Sequence, residues 1–212
     1  MQKINPNALS NGRLHNVCVY CGSGPGRDPV YATAARTLGE TLARAEVGLV
    51  YGGGSLGLMG EVAKSVLAHG GRVTGIIPAF LSAREQMLKD ATELLVVDDM
   101  HQRKMLMFQR SDAFVALPGG IGTLEELVEQ LTWAQLGQHA KPIVVANIAG
   151  FWSPFLSMLE HMRDELFIRQ SLEVRFHVVD TADEILPAIR KALALVDQVA
   201  EAVAEAAVVE KF

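Results

Sequence analysis

The sequence predicts an α/β fold: an open parallel sheet of about seven strands with helices on both faces. Short apolar runs alternate along the chain with longer segments of helical periodicity. Strands buried on both faces are continuously apolar, and a strand–helix–strand order gives parallel pairing. The 212 residues, half of them hydrophobic and 20% charged, suit one domain with a substantial core.

The individual elements follow in a regular order. The predicted strands are residues 17–20, 48–51, 73–77, 93–97, 113–117, 143–147 and 177–179. A first helix begins at Asp28-Pro29, because aspartate caps a helix start and proline is tolerated in the first turn. Further helices are predicted at residues 58–68, 99–110, 123–136 and 151–166, and from residue 183 onward.

The composition shows no break that would mark a second domain. We expect a flexible N-terminal segment at residues 1–15 and a single domain at residues 16–196. Residues 197–212 are rich in alanine and valine with spaced glutamates, and either continue the last helix or form a frayed tail.

Charge and composition exclude several classes of partner. The net charge of −5 gives no electrostatic basis for binding nucleic acid or an anionic membrane. The polar N-terminus lacks the apolar core of a signal peptide, and no apolar run approaches the roughly 20 residues that span a bilayer. The sequence therefore favours a cytoplasmic protein.

The two cysteines, Cys18 and Cys21, form a C-x-x-C pattern within an apolar run that is predicted to be a strand. Residues three apart on a strand face opposite sides, which disfavours a redox pair. One such pair also supplies too few ligands for zinc. We predict a structural role for both cysteines and no metal site.

Three glycine-rich turns follow predicted strands, at residues 21–24 (CGSG), 52–57 (GGGSLG) and 118–123 (PGGIGT). In open parallel sheets, ligands bind outside the carboxyl ends of the strands. Three such turns on one rim favour a backbone that approaches a ligand closely over simple tight turns. From the first two turns we expect Gly22, Ser23, Gly53 and Gly54 to contact that ligand.

The turn at residues 52–57 formally fits G-x-G-x-x-G, yet a dinucleotide site is disfavoured. The turn follows the second strand, and the next strand ends in Ile76-Ile77-Pro78 without the acidic residue that would bind a ribose hydroxyl. No Gly-Lys-Ser/Thr sequence occurs, which argues against a Walker loop and phosphoryl transfer from ATP. An NAD-dependent oxidoreductase remains the weaker alternative.

Residues 118–126 (PGGIGTLEE) predict a seat for a phosphate monoester. Gly119, Gly120 and Gly122 leave backbone N–H groups unobstructed, and the helix that begins here points its positive end at the same spot. Thr123 adds a hydroxyl donor. Glu126 has two interpretations at this stage: a Thr-x-x-Glu capping box, or a carboxylate that serves the chemistry.

Two adjacent cations open the helix that follows Asp98-Asp99, one of which is the expected N-cap. Arg103 and Lys104 oppose the helix dipole there rather than complement it. One interpretation is that both side chains face solvent. The other is that they serve the site, with Arg103 projecting over the carboxyl ends of the strands toward the ligand or Glu126. His101 has no partner spacing typical of a metal site.

Three segments together resemble a known family: residues 51–60 (YGGGSLGLMG), 100–104 (MHQRK) and 118–126 (PGGIGTLEE). They are similar to the Lonely Guy (LOG) family of cytokinin riboside 5′-monophosphate phosphoribohydrolases, many of which carried an older label of lysine decarboxylase. The similarity extends from about residue 16 to about residue 179. It implies a Rossmann-like fold, a homo-oligomer that is usually a dimer, and no cofactor.

The resemblance also assigns roles to single residues. By motif, Arg103 and Glu126 match the catalytic pair. Nucleotide-contacting positions are matched by Lys104, Gly119, Gly120, Ile121, Gly122, Thr123 and Thr132, and more loosely by Glu85. Met59 and Met100 are expected beside the ligand, where an apolar substituent on the base would need space; core filling is the alternative for both.

These inferences predict a hydrolase that cleaves the N-glycosidic bond of purine nucleoside 5′-monophosphates, with AMP or N6-modified AMP as substrate. The alternative is a non-catalytic nucleotide or cofactor carrier on the same fold, which would need the glycine turns but not both Arg103 and Glu126. A decarboxylase finds no support, because no lysine sits in the context of a Schiff-base cofactor site.

Overall fold

The computed structural model describes residues 14–82, 86–168 and 175–209. Its strands are β1 (Asn16–Tyr20), β2 (Gly48–Tyr51), β3 (Val73–Pro78), β4 (Glu93–Val97), β5 (Ala113–Ala116), β6 (Ile143–Ala146) and β7 (His177–Val179). Its α-helices are α1 (Pro29–Arg44), α2 (Gly57–Ala68), α3 (Ala79–Ser82), α4 (Met100–Gln109), α5 (Ile121–Gln135), α6 (Ser153–Asp164) and α7 (Ile185–Val209).

The strands form one sheet in the order β4-β3-β2-β1-β5-β6-β7, and every neighbouring pair is parallel. The predicted fold class and all seven predicted strands are therefore confirmed. The chain builds outward from β1 in one direction and then returns to add β5 on the other side. A reversal of this kind opens a crevice at the carboxyl ends of β1 and β5, which is where ligands bind in such sheets.

Helices cover both faces of the sheet, as predicted. Val17 and Val19 of β1 face a core that includes buried residues of α1, α2 and α7. Cys18 and Tyr20 of the same strand face a second core, with residues of α4, α5 and α6. Alternate side chains of a buried strand thus serve two separate cores, which explains why the strand is continuously apolar.

Both cysteines are buried and free, on opposite sides of the sheet. Burial raises the pKa of each thiol far above its usual value. A neutral, enclosed thiol is a poor nucleophile and metal ligand. The predicted structural role fits this environment.

The predicted caps at Asp28 and Asp99 are confirmed: Asp28 accepts from the Val30 N–H at 2.9 Å, and Asp99 from the Gln102 N–H at 2.8 Å. The capping-box interpretation of Glu126 is wrong. The N-cap of α5 is Gly120, with φ −90° and ψ −159°, so Thr123 already lies inside the helix. A threonine must occupy the N-cap itself to form the box.

Some boundaries also differ from the sequence prediction. Helix α5 begins two residues earlier than expected, and the short helix α3 was not predicted. Residues 1–13 and 210–212 lie outside the described part of the chain, and the predicted domain boundaries stay a prediction. Among the described residues, no helix has the length and apolar character that crossing a bilayer requires.

Candidate active site

Three glycine-rich loops meet at the carboxyl rim of the sheet, joined through the backbone of Gly22. Its N–H donates to the Pro118 carbonyl at 3.1 Å, which joins the β1 loop to the β5 loop. Its carbonyl accepts from the N–H groups of Leu58 at 3.0 Å and Met59 at 3.3 Å, which joins the same loop to the start of α2. One residue thus holds the three predicted turns together.

Gly57 allows the β1 loop and α2 to approach this closely. Its φ is +57°, in the left-handed region that glycine adopts most readily. A Cβ on Gly57 would overlap the backbone of Ser23 and Gly24. The third glycine of the G-x-G-x-x-G pattern therefore serves loop packing, which accounts for the motif without a dinucleotide.

The β2 loop is also fixed on its other side. The Ser55 N–H donates to the Gln86 carbonyl at 2.8 Å, and the Leu88 N–H donates to the Gly53 carbonyl at 3.2 Å. Gly53 has a φ of +82°. This pairing holds the loop's backbone in a defined path along the rim.

The amino end of α5 lies beside this junction and is built as the predicted anion seat. Gly120 is the N-cap residue, and no described side chain forms a capping hydrogen bond there. The first N–H groups of the helix therefore remain for other acceptors. Thr123 is buried, and a Cβ on Gly119 would overlap its hydroxyl. Ile121 directs an 82% exposed side chain to solvent, so its backbone is the part suited to bind.

Arg103 reaches from α4 to the β2 loop. Only 6% of the residue is exposed, so the solvated-face interpretation of this cation is wrong. Its Nη2 donates to the Gly52 carbonyl at 3.2 Å, and its Nη1 contacts the Met100 sulfur at 3.8 Å. A Cβ on Gly52 would overlap the guanidinium, so only glycine permits this approach.

The Nε of Arg103 is buried and has no hydrogen-bond partner among the residues that the structure describes. Burying a charged group without full pairing is costly, and native proteins retain such groups mostly at functional sites. The guanidinium therefore has unused binding capacity beside the glycine loops.

Glu126 lies in the second turn of α5, and its charge affects the two cysteines of β1 and the loop that follows it. After burial, the charge of Glu126 is the next largest cause of the raised pKa of Cys21. It also contributes to raising the pKa of Cys18, which Arg103 lowers. Glu126 and Arg103 thus have opposite effects on the pKa of Cys18.

Lys104 lies between two carboxylates of α5. Its Nζ is 2.6 Å from Glu125 Oε1 and 2.9 Å from Glu129 Oε1, and its side chain is only 11% exposed. Burial alone would lower the pKa of Lys104, but the two carboxylates outweigh it and raise the pKa above its usual value. The sequence analysis missed this cluster, although Glu125 and Glu129 have the i, i+4 spacing of a shared helix face.

The remaining predicted residues are distributed unevenly. Met59 and Met100 lie next to Gly52 and Arg103, and Ser23 is exposed on the β1 loop. Thr132 is about three turns further along α5; its hydroxyl donates to the Val128 carbonyl, and it lines a cavity of about 190 Å³ between α5 and α6. Glu85 lies outside the described residues.

A cavity of about 670 Å³ lies at the opposite edge of the sheet, where β6 and β7 begin. His139 and Lys141 contribute to its wall. Burial lowers the pKa of His139 to about 4, so its imidazole is neutral at pH 7. This cavity is remote from the glycine loops, and we place the candidate site at the loops because buried charge and backbone donors converge there.

The chain is similar to several known proteins. A family model described as "Possible lysine decarboxylase" matches residues 59–189. Cytokinin riboside 5′-monophosphate phosphoribohydrolase LOG7 of Arabidopsis thaliana is 49% identical over 160 residues, covering 75% of this chain and 73% of the relative. The enzyme named LOG of Oryza sativa subsp. japonica is 46% identical over 174 residues, covering 82% and 72%.

Among solved structures, the molybdenum cofactor carrier protein of Chlamydomonas reinhardtii has the same fold, with a TM-score of 0.63. It is 22% identical, and the match covers 86% of this chain and 99% of that chain. Identity at that level shows the fold alone. The family model, by contrast, matches more than half of the chain, and the relatives above are 46–49% identical over most of it. These matches show that the chain belongs to the Lonely Guy family of N-glycosyl hydrolases.

Proposed function

We propose that this protein hydrolyses the N-glycosidic bond of purine nucleoside 5′-monophosphates, releasing the free base and ribose 5-phosphate. The proposed substrate is AMP or a cytokinin-type N6-modified AMP; the names of the relatives print the second of these classes, cytokinin riboside 5′-monophosphates. The observation that carries the proposal is the buried guanidinium of Arg103, which contacts the β2 loop at the same rim of the sheet as the uncapped start of α5.

The phosphate group is the natural ligand of the loop junction. The free N–H groups at the start of α5 and the helix dipole both favour an anion there. The phosphate is remote from the bond that breaks. When the loops bind the phosphate, the binding energy positions the sugar for the reaction.

Glu126 is suited to the sugar end of the reaction. Cleavage of an N-glycosidic bond builds positive charge on the ribose, as in other glycoside hydrolyses. A carboxylate next to the anomeric carbon stabilises that charge and orients or deprotonates the attacking water. The position of Gly120 rules out the capping box at Thr123, and our proposal gives Glu126 this chemical role.

Arg103 is suited to the base end. The departing purine gains negative charge, and the guanidinium supplies positive charge and an unused N–H donor. Met59 and Met100 surround this group with apolar, adaptable side chains, which suits a base with an apolar N6 substituent.

The two alternatives are weaker. A carrier protein would need the loops but not a buried cation with unused donors, and the similarity to a molybdenum cofactor carrier is one of fold. A decarboxylase would need a lysine that is readily neutral for Schiff-base formation. Lys104, next to Arg103 on α4, has its pKa raised instead.

We further propose that the protein is a cytoplasmic homodimer. Met158 and Met162, one turn apart on α6, are 45% and 36% exposed, and Leu166, just after the helix, is 80% exposed. Val128 of α5, which lines the same cavity as Met162, is 42% exposed. A contiguous apolar face of this kind is typical of a protein interface.

The function is tested by turnover of AMP, isopentenyl-AMP and adenosine, followed by chromatography of base and ribose 5-phosphate. We expect release of base from at least one monophosphate, with kcat/KM for adenosine lower by about 10²-fold or more, because adenosine lacks the group that the loops bind. Equal turnover of AMP and adenosine would contradict the phosphate seat, and release of no base from any substrate would contradict the function.

Glu126→Gln is expected to lower kcat by about 10³-fold, because the amide cannot stabilise positive charge or accept a proton. The melting temperature should stay within about 2 °C, since Glu126 does not cap α5. Glu160→Gln, which changes an exposed carboxylate on α6, serves as the control. A variant that melts much earlier but retains its rate would assign Glu126 to structure.

Arg103→Met is expected to abolish most of the activity without loss of stability. Methionine keeps much of the side-chain volume and removes a buried charge whose hydrogen-bond partners among the described residues are a carbonyl and a thioether. Urea denaturation should give a free energy of unfolding equal to or above that of the wild type. A loss of more than about 2 kcal/mol would mean that the guanidinium holds the fold together.

Sedimentation velocity is expected to give twice the 22.9 kDa of the chain. Met162→Glu should shift the protein toward monomer, because it buries a charge at the proposed contact. A wild-type monomer at micromolar concentration would exclude the dimer, as would a Met162→Glu variant that sediments unchanged.

A further inference from the structure

The cavity where β6 and β7 begin takes no part in the proposed reaction. Its volume of about 670 Å³ lies within the range of about 300–1,000 Å³ that is typical of small-molecule sites. The four residues of β6 span about 13 Å from the amino edge of the sheet to its carboxyl edge. A molecule in this cavity would therefore lie at the opposite edge from the glycine loops.

One part of the cavity wall is apolar. Helix α5 contributes Ala134, and helix α7 contributes Ala192, Leu195 and Val196. Leu195 is 51% exposed, so its side chain is apolar surface that the fold leaves uncovered. A wall of this kind suits an aromatic or aliphatic group, because covering it removes apolar area from water.

The polar part of the wall is basic. It consists of His139, Lys141, Arg175 and His177, and none of the lining residues is acidic. Among the residues that the structure describes, neither Lys141 nor Arg175 forms an ion pair with a carboxylate. Two basic side chains thus border the cavity without a contacting counter-charge, which favours an anion inside it.

Lys141 shows this lack of compensation most clearly. Its Nζ donates to the Phe108 carbonyl at 2.6 Å and lies 3.9 Å from the centroid of the Phe108 ring. Burial lowers the pKa of Lys141, and the charge of Asp112 offsets part of that shift. A carbonyl and an aromatic ring carry no formal charge, and an ammonium has two further N–H donors to offer.

His139 shapes the wall and has no donor to spare. Its Nδ1 accepts from the Lys141 N–H at 3.2 Å. Its Nε2 therefore carries the proton and donates to the Gln130 carbonyl at 3.3 Å. The donors that remain for a ligand belong to Lys141, Arg175 and His177.

We propose that this cavity is a second binding site, for an organic anion with one carboxylate, sulfonate or phosphate group and an apolar part of one or two rings. The anionic group pairs with Lys141 and Arg175, and the apolar part packs against Leu195 and Val196 of α7. The ligand supplies the negative charge that the wall lacks and covers its apolar surface. The inference does not depend on the proposed function, since it uses neither the glycine loops nor the residues assigned to catalysis.

Two fluorescent probes of the same shape separate charge from apolar burial. Anilinonaphthalene sulfonate has two aromatic groups and one sulfonate, and N-phenylnaphthylamine has the same skeleton without the sulfonate. The titrations are made with excess ribose 5-phosphate present, so that the glycine loops are not available to the sulfonate. We expect saturable binding of the sulfonate probe, with a Kd about tenfold or more below that of the neutral probe, and weaker binding at high salt.

Variants of the wall locate this binding. Arg175→Gln removes one cation, and Leu195→Glu adds a carboxylate that repels the sulfonate and competes for the basic side chains. Both residues are exposed, so the melting temperature should stay within about 2 °C of the wild type. We expect the Kd of the sulfonate probe to rise about threefold or more in Arg175→Gln and about tenfold or more in Leu195→Glu.

Two further variants serve as matched controls. Arg190→Gln removes an exposed arginine of α7 that does not line the cavity, and its Kd for the sulfonate probe should stay within about twofold. Leu195→Gln changes the same side chain as Leu195→Glu without adding charge. It should retain more affinity for the sulfonate probe than Leu195→Glu does, because only the glutamate repels the anion.

Equal affinity for the two probes would overturn the inference, because it would mean that apolar burial alone drives binding. Absence of saturable binding of the sulfonate probe, or a Kd that is unchanged in both Arg175→Gln and Leu195→Glu, would overturn it as well. Weaker sulfonate binding in both variants, with Arg190→Gln like the wild type, supports the site.

Discussion

The whole site depends on the backbone hydrogen bonds of Gly22. The sheet reverses its direction of growth between β1 and β5, and Gly22 stands at the end of β1, directly at that reversal. Its N–H bonds the β5 loop and its carbonyl bonds the start of α2, so both neighbouring loops are held in one place. Because these contacts use backbone atoms, they require small residues on every side, and this explains the concentration of glycine at the rim.

Near this junction, one buried cation is left incompletely hydrogen-bonded, which costs stability but leaves donors for a ligand. Arg103 is enclosed with an unpartnered Nε, whereas the neighbouring cation Lys104 is fully engaged by two carboxylates. The two adjacent residues thus have different roles. Lys104 connects α4 to α5, and Arg103 keeps a donor available. In the proposed reaction the available donors face charge that develops only as the bond breaks, which is the condition for lowering a barrier rather than tightening substrate binding.

The sequence was sufficient for the fold because each strand is an unbroken apolar run and each helix is periodic. The three glycine turns were also identified, since a parallel sheet brings strand ends to one rim. Two features could not be predicted. The start of α5 depends on Gly120, whose N-cap geometry leaves no side-chain signal, so the sequence left a capping box at Thr123 as one of two interpretations. The Lys104 cluster depends on the approach of α4 and α5, which are separated by a strand in the sequence.

The most direct test of the account is a crystal structure of the Glu126→Gln variant with AMP, in which the bound nucleotide stays intact. The account predicts that the phosphate oxygens accept from backbone N–H groups of Gly120 to Thr123, and that the anomeric carbon of the ribose faces residue 126. A phosphate bound elsewhere, or a residue 126 that points away from the sugar, would contradict it.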